Sequence, residues 1–163
     1  MATTEDRDPQ FADIDTWPTV DAVEAMLDGQ IAALVAIRTA TGAIAAAADA
    51  AAARLSTGGR LVYAGAGTSG RVAVQDGVEL GPTFGWPEAR LCYLLAGGMA
   101  ALSHSAEGAE DDEAAGRASV LEAGINNQDV VIGVAASGRT PFTVAALASA
   151  RARLCAALRR PRG

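Results

Sequence analysis

Arg60-Leu61-Val62-Tyr63-Ala64-Gly65-Ala66-Gly67-Thr68-Ser69-Gly70 decides the fold class. Its first five residues form a short β-type run with no polar alternation, as expected of a strand buried on both faces. The glycine-rich loop that stops the run opens a helix, predicted over about 69–78. The same grammar returns twice. Leu91-Cys92-Tyr93-Leu94-Leu95-Ala96 is closed by Gly97-Gly98, and Val130-Val131-Ile132-Gly133-Val134-Ala135 by Ala136-Ser137-Gly138-Arg139-Thr140. Pro141 suits the first turn of a last helix reaching about Leu158. Apolar strands separated by helical stretches predict an α/β fold, a parallel sheet covered by helices on both faces.

Before Gly59 the period is helical. The first dozen residues read as a polar arm with no periodicity, within an arm of 1–18. Val20, Val23, Met26 and Leu27 then fall on one helical face, and Asp28-Gly29 is expected to break that helix. Apolar stretches from Ile31 to Ile37 and from Ala43 to Leu55 follow. We expect these helices, 19–56, to pack on the domain. Alanine supplies 39 of the 163 residues, which favours helix by propensity and permits close packing.

Composition excludes several classes. Half of the residues are apolar, which argues against disorder. The Ala-rich run from Thr39 to Leu55 contains Asp49 and Arg54 and is mostly methyls, too weakly hydrophobic for a membrane span. The acidic N-terminus has no apolar signal core, so a cytoplasmic location without membrane contact is the expectation. Residues 1–129 hold all 19 acids and seven arginines, a charge of −12; residues 130–163 hold six arginines and no acid, +6. An acidic body argues against a nucleic-acid groove. Two cysteines, Cys92 and Cys155, and one histidine, His104, cannot build a disulfide scaffold or a His-cluster metal centre. Cys92 is most simply a small core residue, and His104 an ordinary helix residue.

The loops carry the chemistry. Gly65-Ala66-Gly67-Thr68-Ser69-Gly70 matches G-x-G-x-x-G between a strand and a helix. Glycines let backbone approach an anion, the helix N-terminus offers free N–H groups, and Thr68 and Ser69 add hydroxyls. A dinucleotide reading requires an acid ending the next strand, where this chain has Ala96-Gly97-Gly98; Glu88 precedes that strand. A tight turn needing glycine for geometry alone is the plainer alternative. Ser137-Gly138-Arg139-Thr140 repeats the hydroxyl-rich pattern at another strand end. Arg139 there either grips a phosphate with two N–H groups or caps a helix or pairs with an acid. Two such loops at the carboxyl ends of parallel strands would converge on a small phosphorylated molecule.

Four motifs follow one another in order: Gly59 to Arg71, Pro82-Thr83-Phe84-Gly85, Glu107-Gly108-Ala109-Glu110-Asp111-Asp112, and Asp129 to Pro141. Together with Thr4-Glu5-Asp6-Arg7 they resemble the N-acetylmuramic acid 6-phosphate etherases, which carry a sugar isomerase (SIS) type domain. The resemblance spans about residues 3–150. It implies a three-layer α/β/α SIS-type domain at 57–150, with three strands present of an expected five, preceded by the N-terminal helices. It implies cleavage of the D-lactyl ether of N-acetylmuramic acid 6-phosphate, giving N-acetylglucosamine 6-phosphate and D-lactate by elimination and then water addition. A non-catalytic sugar-phosphate-binding regulator, as in the related glucokinase regulatory proteins, is the alternative, and a phosphosugar isomerase a further one.

Elimination needs a base for the C2 proton and an acid for the departing oxygen. The family's acidic positions match Glu79, as proton donor, and Glu110, as the second acid–base residue. Read without the resemblance, Glu110 is one of a cluster of acids at a helix start and Glu79 a surface carboxylate. The substrate-binding positions implied are Gly67, Thr68, Ser69, Gly70, Arg71, Ser137, Gly138, Arg139 and Thr140. Neither a metal nor an organic cofactor is implied, and the expected partners are a phosphorylated amino sugar and a second copy, as a homodimer with the site at its interface. An unbroken helix would carry Glu79 about 14 Å from Gly70. Either Gly77 ends the helix and turns Glu79 back, or Glu79 serves a site shared between two subunits; we favour the second.

Two departures stand out. Many members of that family carry Cys-Pro-Pro after the glutamate, where this chain has Leu80-Gly81-Pro82. The family pattern also fades near Ala150, and 151–163 form an atypical basic tail, as from a frameshift or early end, with a basic partner-binding tail the second reading.

Overall fold

The computed structural model describes residues 8–104 and 106–158, with side chains to residue 153. Two compact units divide the chain, Met1–Ala51 and Ala52–Gly163.

In the first unit, residues that were expected to be an unstructured arm form two single 3-10 turns, Pro9–Phe11 and Ile14–Thr16. Asp8 caps the first by accepting from the Gln10 N–H at 2.9 Å. Thr4 to Arg7 lie outside the described residues. Helix α1 (Thr19–Arg38) runs unbroken through Asp28-Gly29, against the predicted break. One interior glycine costs only about 1 kcal/mol, and the alanines, leucines and methionine around it are strong helix formers. The chain turns instead at Thr39-Ala40, where the Thr39 hydroxyl donates to the Ala36 carbonyl at 2.7 Å. Helix α2 (Thr41–Leu55) follows and crosses the boundary between the units.

The second unit holds β1 (Leu61–Gly65), α3 (Gly67–Phe84), β2 (Leu91–Leu95), α4 (Glu113–Glu122), β3 (Val130–Val134) and α5 (Pro141–Leu158). The strands form a parallel sheet in the order β2-β1-β3, with Leu61 level with Leu91 and with Val130. β2 and β3 fall within their predicted runs, while β1 is displaced by one residue and takes in Gly65, which was read as the start of the loop. Alternation sorts their side chains into two cores. Val62, Ala64 and Leu94 meet Val120 and Ile125 around α4, and Ala146 and Ala150 of α5, on one face. Leu61 and Tyr63 meet Ala73 and Leu80 of α3 on the other, joined by Leu55, Trp86 and Tyr93. Helices thus cover both faces, the three-layer arrangement expected. Cys92 packs against the first core as the small residue it was read to be.

Two polar anchors hold the lower ends of the strands. Asp129 is 1% exposed and accepts from the Arg60 guanidinium at 2.7 and 3.1 Å, the Arg60 backbone at 3.1 Å and the Asn126 N–H at 3.0 Å. Burial alone would raise the Asp129 carboxyl, but these donors outweigh it and hold the group below its ordinary value. Arg90 stacks on Trp86, 4.3 Å from the ring centroid. Its guanidinium donates to the carbonyls of Leu55 and Gly59, tying the end of α2 to the entry of β2.

Helix α3 is longer than predicted at both ends. Gly77 is buried in mid-helix against the Tyr93 ring, which leaves it no room for a side chain, so it seats the helix and does not end it. The stop is at Gly85, where a φ of +66° lets its N–H reach the Gly81 carbonyl. Pro82 sits inside the last turn. Helix α5 carries the chain through the onset of the basic segment: Arg153 donates to the Ile125 carbonyl at 3.1 Å, while 159–163 lie outside the described residues. No single helix among the described residues is long and apolar enough to cross a membrane.

Candidate active site

In a parallel sheet the loops after the strands share one end, and the neighbours of a central first strand leave a crevice there. After β1 comes Ala66 and then the first turn of α3; after β2 and β3 come the connections 96–112 and 135–140. After β1 the backbone doubles back so closely that a Cβ on Gly65 would lie 2.9 Å from the Gly70 Cα. Ala66 precedes α3 and supplies no side-chain cap. The first-turn N–H groups of α3 therefore lack the partner that Asp112 gives α4, where its carboxylate accepts from the Ala115 N–H at 2.8 Å. A helix start of that kind, with glycines and hydroxyls around it, suits a phosphate.

A cavity of about 440 Å³ lies over this helix start. Gly67, Thr68 and Arg71 line one side, and Glu107, Gly108 and Glu110 line another. The Arg71 side chain is anchored by donating to the Leu102 carbonyl at 3.2 Å. Glu110 lies in a 3-10 turn, Ala109–Asp111, that precedes α4, so it is not part of the helix start its neighbours suggested. Asp112 takes that capping role. Close packing sets this loop: Gly97, at φ +77°, is where a Cβ would come within 2.7 Å of the Ala106 Cβ. The acids therefore ride on a segment pressed against the end of β2.

Other expected site residues are placed apart from this cavity. Ser69 and Gly70 belong to the α3 start but do not line it. Ser137, Gly138, Arg139 and Thr140 end β3 at the same end of the sheet without lining it; the Ser137 hydroxyl accepts from the Arg139 N–H at 3.1 Å and closes that loop on itself. Glu79 is exposed on α3, nine residues beyond Gly70 and outside the cavity. Continuation of α3 through Gly77 removes the alternative in which that glycine turns Glu79 back. His104 is in a turn, not a helix, with Nδ1 2.9 Å from the Ser103 hydroxyl.

Sequence reading missed two features. Beneath the loops, Phe142 is 2% exposed and packs with Ala66 after β1 and with Ala96 and Ala109 from the two ends of the loop after β2. Its place after Pro141 was visible, but nothing local showed what it would touch. Replacing Phe142 by leucine is expected to cost about 1–2 kcal/mol, read as a lower midpoint in urea unfolding. The second feature is the Tyr63 hydroxyl, which donates to Asp76 at 2.5 Å and pins α3 to β1 three residues before Glu79. Burial first, then that bond, pushes the Tyr63 phenol far above its ordinary value.

Comparison with known proteins adds to this geometry. The pattern described as the Glucokinase regulatory protein N-terminal SIS domain matches residues 43–151. The chain belongs to this SIS-domain family. The SIS match takes in the whole sheet, the loop after β1 and the Glu110 loop. Over 149 residues the chain is 48% identical to a protein of Deinococcus radiodurans named N-acetylmuramic acid 6-phosphate etherase, covering 91% of this chain and 49% of that protein. A protein of the same name from Salmonella schwarzengrund is 43% identical over 152 residues, covering 93% and 51%. The ordered motifs around the SIS loops thus match proteins of the name they pointed to. The chain spans about half the length of the curated relatives it matches.

Proposed function

We propose that this chain forms the sugar-phosphate-binding and acid–base part of an N-acetylmuramic acid 6-phosphate etherase. The observation that carries the reading is Glu110 facing the start of α3 across one cavity, beside Arg71. The phosphate of the sugar sits on the free N–H groups before Gly70, with the Thr68 hydroxyl and the Arg71 guanidinium completing its cradle. A carboxylate takes the C2 proton and the D-lactyl oxygen leaves C3 with a proton from the second acid, forming a C2–C3 double bond. Water then adds, its hydroxyl to C3 and a proton to C2, giving N-acetylglucosamine 6-phosphate. Glu79 is the proton donor and Glu110 its counterpart. Ser137–Thr140, near the crevice, contact the rest of the sugar. The reading carries a cytoplasmic location, where phosphorylated sugars are kept.

Glu79 reaches such a site from a second copy of the chain, in a homodimer whose two sites each take Glu79 from one subunit and Glu110 from the other. The exposed position of Glu79 on an unbroken α3, away from its own cavity, supports this arrangement. Mixing Glu79→Gln and Glu110→Gln proteins, each inactive alone, is then expected to restore about a quarter of wild-type activity, because half of the dimers are mixed and each holds one intact site. No recovery on mixing, with subunit exchange demonstrated, assigns Glu79 to its own subunit.

The non-catalytic regulator is the second reading, favoured by the description of the matching SIS pattern. Purified chain incubated with N-acetylmuramic acid 6-phosphate separates the two. Released D-lactate supports the etherase, whereas thermal stabilisation by sugar phosphates without lactate supports the regulator.

A further inference from the structure

The stretch of α3 that carries Glu79 is poorly suited to a helix by its own residues. Gly77-Val78-Glu79-Leu80-Gly81-Pro82 places two glycines and a proline around it. Glycine and proline are the poorest helix formers, and Pro82 has no N–H to give the Val78 carbonyl one turn back. Yet α3 is continuous from Gly67 to Phe84. Contacts with the sheet therefore supply what local propensity withholds.

Those contacts sit in the turn just before Glu79. Tyr63 of β1 and Tyr93 of β2 are level in register, and their rings stack with centroids 6.0 Å apart and 18° between planes. Gly77 rests against the Tyr93 ring, whose hydroxyl is buried without a hydrogen-bond partner. The Tyr63 hydroxyl reaches Asp76 at 2.5 Å, so of the two phenols Tyr63 is the one that fastens the helix by a polar bond. Leu80 packs on the same core one residue beyond Glu79, but an apolar contact has no preferred direction. A hydrogen bond fixes distance and angle together. Asp76 is exposed, lines no part of the cavity, and stands three residues before Glu79, on the neighbouring part of the helix surface.

We propose that Tyr63 and Asp76 are positioning residues for Glu79: their hydrogen bond sets the rotation of the α3 turn from which Glu79 projects. The inference rests on the etherase reading, and it holds whether Glu79 serves its own subunit or a second copy. Tyr63→Phe keeps the ring and the stack but removes the bond, and Asp76→Ala removes it from the other side. Each is expected to lower kcat for D-lactate release by about tenfold, with KM within about twofold of wild type. The double variant should fall no further, because both substitutions delete one interaction. Asp76→Asn keeps an acceptor oxygen for the phenol and is expected to stay within about threefold of wild type. In Tyr63→Phe and Asp76→Ala, amide hydrogen exchange at 78–81 should quicken by about tenfold while 70–74 is unchanged.

Ile125→Val, in the core on the other face of the sheet, is the control: it should lower the urea midpoint and leave kcat as it was. Wild-type kcat in Tyr63→Phe overturns the proposal, as does unchanged exchange at 78–81. A loss in Asp76→Asn as deep as in Asp76→Ala overturns it too, giving the effect to the charge of Asp76. Equal losses of kcat in Ile125→Val and Tyr63→Phe would make the effect one of general stability. A wild-type chain that releases no D-lactate is the failure of the etherase reading by itself, and exchange at 78–81 then decides whether Tyr63 and Asp76 hold the turn.

Discussion

Under the proposed etherase function, Glu110→Gln is expected to lower D-lactate release from N-acetylmuramic acid 6-phosphate by about 10²–10⁴-fold, with little change in KM. Glutamine keeps the size of the side chain and its carbonyl acceptor, but it can neither take nor return a proton at neutral pH. Glu110 stands on a short 3-10 turn held by the contact of its loop with Gly97, so the exchange leaves the loop's packing in place. Glu110 and Glu107 line the same cavity, and Glu107→Gln serves as the control. Loss of turnover at Glu107 with retention at Glu110 would transfer the acid–base role by three residues. Equal and small effects at both would remove the cavity from the reaction altogether.

Asp129→Asn is expected to destabilise the chain by about 3 kcal/mol, read as a lower urea midpoint. The carboxylate is buried and accepts four hydrogen bonds, three of them from Arg60. An amide cannot accept through its nitrogen and leaves the guanidinium without its countercharge. Arg60 is 30% exposed, so water compensates part of the loss. The pH dependence has a definite sign. Folding holds the Asp129 carboxyl below its unfolded value, so the stabilisation is complete above about pH 4–5 and disappears as pH falls through the lower, folded value. The wild-type chain should therefore lose stability in that acid range more steeply than Asp129→Asn. Parallel acid profiles for the two proteins would mean that Asp129 titrates alike in the folded and unfolded chain.

Much of the fold was legible because strands are local statements. Leu61–Gly65, Leu91–Leu95 and Val130–Val134 are short runs without a charged residue, each followed within a few residues by a glycine-containing loop, and the helices between them suit parallel pairing. Errors fell on helix ends and breaks. Gly29 and Gly77 carry the same local signal for a break, yet α1 and α3 run through both. At Gly77 the reason is tertiary, since the Tyr93 ring from the neighbouring strand occupies the space that a side chain would need. Asp112 and Glu110 show the same limit, two acids of one cluster of which one caps a helix and the other faces a cavity.

The sequence by itself determined the α/β class, the three strands, the glycine loop before α3 and the family, because each is written in contiguous residues or in the order of motifs. Only the tertiary structure decided which of the implicated residues meet. It joined Thr68 and Arg71 to Glu110, left Glu79 outside and put Phe142 beneath the loops after β1 and β2. Those outcomes depend on strand order and on the continuity of α3. Both are set by packing between residues distant in the chain, for which no local pattern exists.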